Sequence, residues 1–137
     1  MTDVNAILKA AYFSTLSTLS YPCYSMMVED GLTGNYIVYK PTTSNPVAMK
    51  GNSVNVTMQV TLVTESMQYN SGDDVDTMAK DVLNVLLPKV DFKLPIGNNA
   101  NITFTQLTND QTNDYSLKDK FILIERVLTF QHTIYII

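Results

Sequence analysis

The sequence predicts an α+β domain: a mostly antiparallel sheet with two helices packed on one face. Three observations lead there. Residues 53–65, SVNVTMQVTLVTE, alternate Val54, Val56, Met58, Val60 and Leu62 with Asn55, Thr57, Gln59, Thr61 and Val63, which is the period of a strand. Residues 71–87 instead repeat at helical spacing through Val75, Met78, Ala79, Val82, Leu83 and Leu86. Residues 120–137 form another long β segment. The 137 residues are read as one domain, 1–137, large enough to bury about two-thirds of its unfolded surface.

The elements follow in order. Asp3 to Leu19 reads as a helix on the spacing of Val4, Ile7, Leu8, Ala11 and Leu19, with Thr2 as its cap and Tyr21-Pro22 as its stop. Cys23 to Asp30 is a strand, and Gly31 to Asn35 turns the chain. Tyr36 to Tyr39, YIVY, is a short strand of strong β formers. Lys40 to Asn52, KPTTSNPVAMKGN, reads as a loop, because it holds two prolines, a glycine and small polar residues. The strand over Ser53–Glu65 would span about 43 Å. A domain of this size has a gyration radius near ~14 Å. Part of the strand should therefore overhang the core or bend at a bulge, as one arm of a projecting long-strand hairpin.

Ser71 to Leu87 is the clearest helix. Ser71 or Asp73 can cap it, Asp73, Asp74 and Asp76 suit the positive end of its dipole, and Pro88 closes it. Val90 to Phe92 is a short strand and Leu94 to Asn99 a turn. Ile102 to Leu107 is a strand, Asn109 to Asp114 (NDQTND) a polar hairpin tip, and Lys120 to Ile137 the final β segment. Two helices cannot cover both faces of this sheet, so one face meets solvent or another subunit.

Composition excludes several functions. The net charge is −4 and Arg126 is the only arginine, so the clustered cations needed to hold nucleic acid are missing. Cys23 is the only cysteine, so no intrachain disulfide forms. No signal-peptide pattern and no apolar run of ~18 residues occur, which fits a chain made in a reducing cytoplasm without a membrane span. The sequons at Asn55 and Asn101 are then read as coincidence in a chain rich in Asn and Thr.

Each candidate for chemistry has a plainer account. His132 is the only histidine and keeps register with Ile122, Ile124, Leu128, Phe130, Ile134 and Ile136, which marks a structural residue. Arg126 shares that parity beside Glu125, which marks a bulge, a break between strands or a structural ion pair. A Cys23–His132 nucleophile pair lacks a third group, and Cys23 sits among Tyr21, Tyr24 and Met26 as a buried thiol would. Helix capping explains Asp73, Asp74 and Asp76. The NDQTND stretch lacks the glycine and glutamate of a calcium loop. No Gly-rich phosphate loop or metal-ligand cluster is present. The expectation is a non-enzymatic interaction protein with no cofactor and no metal.

The order of elements resembles the tail terminator and tail-completion proteins of tailed bacteriophages. The pieces that carry the resemblance are Asp3–Leu19, the YIVY strand, the Lys40–Asn52 loop, Ser53–Glu65, Ser71–Leu87 and Ile102–Ile137. It covers nearly the whole chain and rests on layout and length rather than a short motif. It implies a virion protein, assembled in the host cytoplasm, that forms a homo-oligomeric ring of six, with twelve as the alternative. Such a ring ends tail-tube polymerisation and meets the tail tube and the head-completion proteins. DNA passes only through its lumen, and the family brings no catalytic residues.

A ring joins two different surfaces of one subunit, and interface cores are depleted in charge. The weakly charged face of Asn55, Thr57, Gln59 and Thr61 is one candidate for that contact. The other is the stretch with Lys40, Thr42, Asn45, Val47 and Met49. Asp110, Asp114 and Asp119 are candidates for the lumen, where acid would keep DNA from sticking. Competing readings are another neck, head–tail adaptor or tube ring protein, or an unrelated small α+β partner-binding module. An enzyme would need a pocket with convergent polar groups.

Overall fold

The computed structural model describes residues 4–25, 35–46, 53–67, 73–87, 100–116 and 121–136. They form α1 (Val4–Leu16), β1 (Cys23–Ser25), β2 (Tyr36–Pro46), β3 (Ser53–Met67), α2 (Asp73–Leu86), β4 (Ala100–Ser116) and β5 (Phe121–Ile136). One sheet of order β1-β2-β3-β5-β4 holds all five strands. Only the β1–β2 pair is parallel; the other three are antiparallel. This is the α+β class expected from the sequence.

The alternation of β3 decides which face is buried. Val56, Met58, Val60 and Leu62 are fully buried. They sit in register with Ile37 and Tyr39 on β2 and with Leu128, Phe130 and His132 on β5. Helix α1 covers β1, β2 and β3 through Leu8, Ala11, Tyr12 and Leu16. Helix α2 covers β3 and β5 through Val75, Met78, Ala79, Val82 and Leu86. Both helices therefore lie on one side of the sheet. Each fully buried Leu, Met or Phe there contributes roughly 1.5–3 kcal/mol.

The helix ends have local causes. Helix α1 stops at Leu16 rather than at the expected Leu19. The Ser17 and Thr18 hydroxyls hydrogen-bond the carbonyls of Phe13 and Thr15, at 2.5 and 2.7 Å, and compete with further helix. The Leu19 N–H closes a tighter turn on Leu16. Tyr21 then donates its hydroxyl to Asp81 at 2.9 Å and ties this turn to α2.

Two composition-based expectations are overturned. Residues 40–46 of the expected loop continue β2, in register with β3 from Lys40↔Gln59 to Pro46↔Val54. Beyond Tyr39, β2 has no described neighbour on its outer side, so the prolines occur where a missing N–H is tolerated. The expected hairpin tip, Asn109–Asp114, lies inside β4 and pairs with β5 from Asn109↔Thr129 to Asp114↔Ile124. A polar edge strand needs only one partner strand and keeps its outward side groups in water. Strand β3 is flanked by β5 from Ser53↔Tyr135 to Met67↔Phe121. The remainder of the expected loop (47–52), the end of the first strand (26–30), the turn at 31–34, Val90–Phe92, Leu94–Asn99 and Ser71 lie outside the described residues.

Strands β2 and β4 share a device. Register shifts occur at Thr42, between Pro41 and Thr43, and at Thr108, between Leu107 and Asn109. Each extra threonine returns its hydroxyl to a carbonyl of the adjacent strand. Thr42 donates to Thr57 at 3.2 Å and Thr108 to Thr129 at 3.1 Å. The bulges thereby recover a hydrogen bond and add local twist. A third shift lies between Ile102 and Phe104.

Candidate functional site

The face of the sheet turned away from the helices is built by strand parity, reset by one residue at the bulges of β2 and β4. On β3 it carries Asn55, Thr57, Gln59 and Thr61, all half-buried. Their β5 partners are Thr133, Gln131, Thr129 and Val127. On the other side their β2 partners are Asn45, Thr43, Lys40 and Val38. Strand β4 extends the surface with Gln106, Asn109, Gln111 and Asn113 opposite Gln131, Thr129, Val127 and Glu125. The result is a sheet of hydroxyls and amides. Several side chains already bond each other: Thr133 donates to Asn55 at 2.7 Å, and Gln111 to Asn113 at 3.3 Å.

The expected face residues Asn55, Thr57, Gln59 and Thr61 are thus brought together. Lys40 and Thr42 are exposed and lie on the limb of β2 beyond the pairs made by the described residues of β1. Asn45 takes a register position opposite Asn55 on the same limb. Val47 and Met49 lie outside the described residues. The β4 and β5 contributions were missed, although Val127, Thr129, Gln131 and Thr133 alternate with Leu128, Phe130 and His132 as clearly as the residues of β3 do.

Of the acids considered for a lumen, Asp110 stands on the helix side of the sheet, opposite Leu128. The Arg126 guanidinium grips it with two bonds, Nε to Oδ1 at 2.9 Å and Nη2 to Oδ2 at 2.7 Å. Its Nη1 reaches Asp76 of α2 at 2.9 Å. The hydrogen bond from Arg126 holds the Asp110 carboxyl below the usual range. Arg126 is therefore the structural ion pair among the alternatives raised by its parity, and β5 runs through it unbroken. Asp114 occupies a β4 position opposite Ile124, and Asp119 lies outside the described residues. Removing the guanidinium with Arg126→Met is expected to cost about 1 kcal/mol, because the pairs are exposed but one is bidentate. The denaturant midpoint checks this.

Cys23 and His132 are not a pair. Three strand spacings separate β1 from β5, about 14 Å. The Cys23 thiol faces the carbonyls of Leu16 and Tyr21, at 3.6 and 3.4 Å, and burial raises its pKa. His132 is fully buried. Its Nε2 bonds the Tyr12 hydroxyl of α1 and its Nδ1 bonds the Thr105 hydroxyl of β4 at 2.9 Å. The ring also stacks on Phe130, with centroids 6.4 Å apart. Burial pushes its pKa down to about 4, so the imidazole is neutral at pH 7 and joins helix to edge strand. Among the described residues no group of three or more His, Cys, Asp or Glu could hold a metal ion, and no helix is long and apolar enough to cross a membrane.

No family model matches the sequence, and no curated protein matches it either. Solved structures do. The fold matches a chain from the virion of a native gene transfer agent particle with a TM-score of 0.70 at 15% identity, covering 98% of this chain and 99% of that one. A second solved chain matches with a TM-score of 0.53 at 16% identity, over 96% of both chains. At these identities the likeness is one of fold, and it runs through the whole chain.

Proposed function

We propose that this chain is a non-enzymatic structural component of a phage-like virion. Its most specific form is a ring protein at the head-proximal end of the tail, ending tube polymerisation and joining tail to head. The observation that carries this reading is the full-length fold match to a chain of a gene transfer agent virion. The hydroxyl- and amide-rich open face of the sheet is consistent with it, since a subunit interface favours depleted charge and tolerates ordered water. Among the described residues the Cys23–His132 pair does not compete with it, because the two stand three strands apart.

The decisive experiment is electron microscopy of the purified chain, alone and with tail tubes from the same particle. Rings capping one end of tubes of uniform length support the terminator role. A chain that instead polymerises into tubes is a tube subunit, and one bound only to heads is an adaptor. A monomer that binds neither heads nor tubes at any concentration ends the virion reading.

The β2 limb provides a second test. Deleting Thr42 to Met49 removes the β2 positions paired with Thr57, Val56, Asn55 and Val54 but leaves β3 joined to β5 along its whole length. The variant is expected to stay folded by circular dichroism yet lose attachment to the ring or tail. Attachment at the parent level would show that this limb is incidental.

A further inference from the structure

Helix α1 meets the sheet through a buried side-chain network whose hydrogens can be assigned. His132 of β5 bonds the Tyr12 hydroxyl of α1 at Nε2 and the Thr105 hydroxyl of β4 at Nδ1. A neutral imidazole donates from one nitrogen and accepts at the other, while a hydroxyl takes either role. Burial decides between the two arrangements. Tyr12 is fully buried, so a hydroxyl there that only accepted would strand its hydrogen away from water. Thr105 is half-buried and can turn its hydrogen outward. The arrangement that strands nothing has Tyr12 donating to Nε2 and Nδ1–H donating to Thr105.

Among the described side chains no counter-charge stands at this ring. On α1, Lys9 lies one turn before Tyr12 and is itself a cation. Strand β2 adds Tyr39, whose ring centroid is 6.1 Å from that of Tyr12, and Cys23 of β1 neighbours Tyr39. Strand β3 sets Val56 opposite His132. On β4, Asp110 lies opposite Leu128, about 13 Å along β5 from His132, and is held by Arg126. On α2, Asp76 is held by Arg126, Asp81 by Tyr21, and Lys80 is exposed. Glu125 and Arg126 stand about 20 Å back along β5.

We infer that His132 is a proton-operated latch on α1: a second proton enters at Nε2, the nitrogen that holds Tyr12, and frees the helix while the sheet stays paired. Nδ1–H keeps its bond to Thr105 in both charge states. Nε2 turns from acceptor to donor, so the Tyr12 hydrogen is driven into a dry layer beside a new positive charge. The sheet has its own hold, since β3 pairs β5 from Ser53↔Tyr135 to Met67↔Phe121 and β4 pairs β5 from Ala100↔Ile136 to Ser116↔Ile122. A helix of 13 residues is marginal once detached, so release shows as melting. Burial holds the ring near pKa 4 against the ordinary 6.5, which the opened ring regains. The latch is therefore fully closed above pH 6.5 and loses its hold as pH falls toward 4.

NMR of the full chain tests this. The imidazole nitrogen shifts at pH 7 are expected to report the Nδ1–H tautomer; the Nε2–H tautomer overturns the latch. Amide exchange, corrected for its intrinsic pH dependence, then follows opening from pH 7 to pH 4.5, above the ordinary aspartate value of about 3.9. Opening of the Leu8–Tyr12 amides is expected to rise roughly fiftyfold. These amides should also stay at least about tenfold less protected than those of Val60 and Leu128. Equal protection in helix and sheet would mean that the whole domain opens at once, and a flat profile in α1 would mean that no proton works the helix; either result overturns the proposal. His132→Gln, which takes up no proton, is expected to abolish the pH dependence of α1. Its persistence in that folded variant would assign the effect to another group and overturn the latch as well.

Discussion

Val60→Asp is expected to unfold the chain, while Thr61→Asp, one residue along, is expected to be tolerated. Val60 is fully buried in the middle of β3, in register with Tyr39 on one side and Leu128 on the other. Arg126, the one guanidinium near this layer, is already held by Asp110 and Asp76. A carboxyl at position 60 would be forced neutral, which at pH 7 costs about 4 kcal/mol, since the unfolded group ionises about three pH units lower. Loss of the buried valine adds about 1.5–3 kcal/mol. Together these reach the lower part of the stability of an ordinary domain, about 5–15 kcal/mol. Thr61 points to the open face and is half-buried, so its replacement should cost about 1 kcal/mol or less. Circular dichroism and thermal melting of the two variants make the comparison. A folded, soluble Val60→Asp protein would mean that the register of β3 is wrong by one residue.

The second large effect concerns acid. His132 has a folded-state pKa pushed down from 6.5 to about 4 by burial. A depressed value means the unfolded chain takes up its proton first. The stabilising contribution is therefore complete above pH 6.5, declines as pH falls, and is gone once pH passes about 4. At 1.4 kcal/mol per tenfold change in proton affinity, the loss over that window is about 3 kcal/mol. His132→Phe should flatten the dependence of stability on pH between these limits. It should also lower stability at pH 7, because the hydroxyls of Tyr12 and Thr105 lose their partner. Denaturant titrations of parent and variant at several pH values read both effects. Equal slopes in the two proteins would place the acid sensitivity elsewhere.

The parts of the fold that were legible in sequence are those where local pattern and tertiary burial agree. Residues 53–65 alternate because one face is covered by two helices, and the stripe from Val75 to Leu86 exists because it provides part of that cover. The parts that misled are edges. Pro41, Pro46 and the Asn–Asp–Gln run at 109–114 have compositions typical of loops, yet they lie in strands with one partner each. An edge strand takes its conformation from a neighbour distant in sequence, and a window of local residues cannot see that neighbour. The parity of Arg126 is a milder case. The oddity was visible, but its explanation needed Asp76 and Asp110, 50 and 16 residues away.

The open face of the sheet shows the same division. Asn55, Thr57, Gln59 and Thr61 could be assigned to one surface from β3 alone. Its extension through Gln131, Thr133, Gln106 and Gln111 required the order β3-β5-β4, in which the last strand in sequence sits inside the sheet. The placement of Asp110 on the helix side has a related cause. Its side of the sheet depends on the bulge at Thr108, which shifts the alternation of β4 by one.

That strand order bears on the timing of synthesis. Strand β3 obtains its second neighbour only from β5, which leaves the ribosome after every other described element. The Tyr12–His132 bond joins residues 120 positions apart. Helix α1 and the β2–β3 pair must therefore wait, half-covered, until β5 has emerged. Closure over such sequence distances is slow, and the waiting intermediate exposes apolar strand to its neighbours on the polysome.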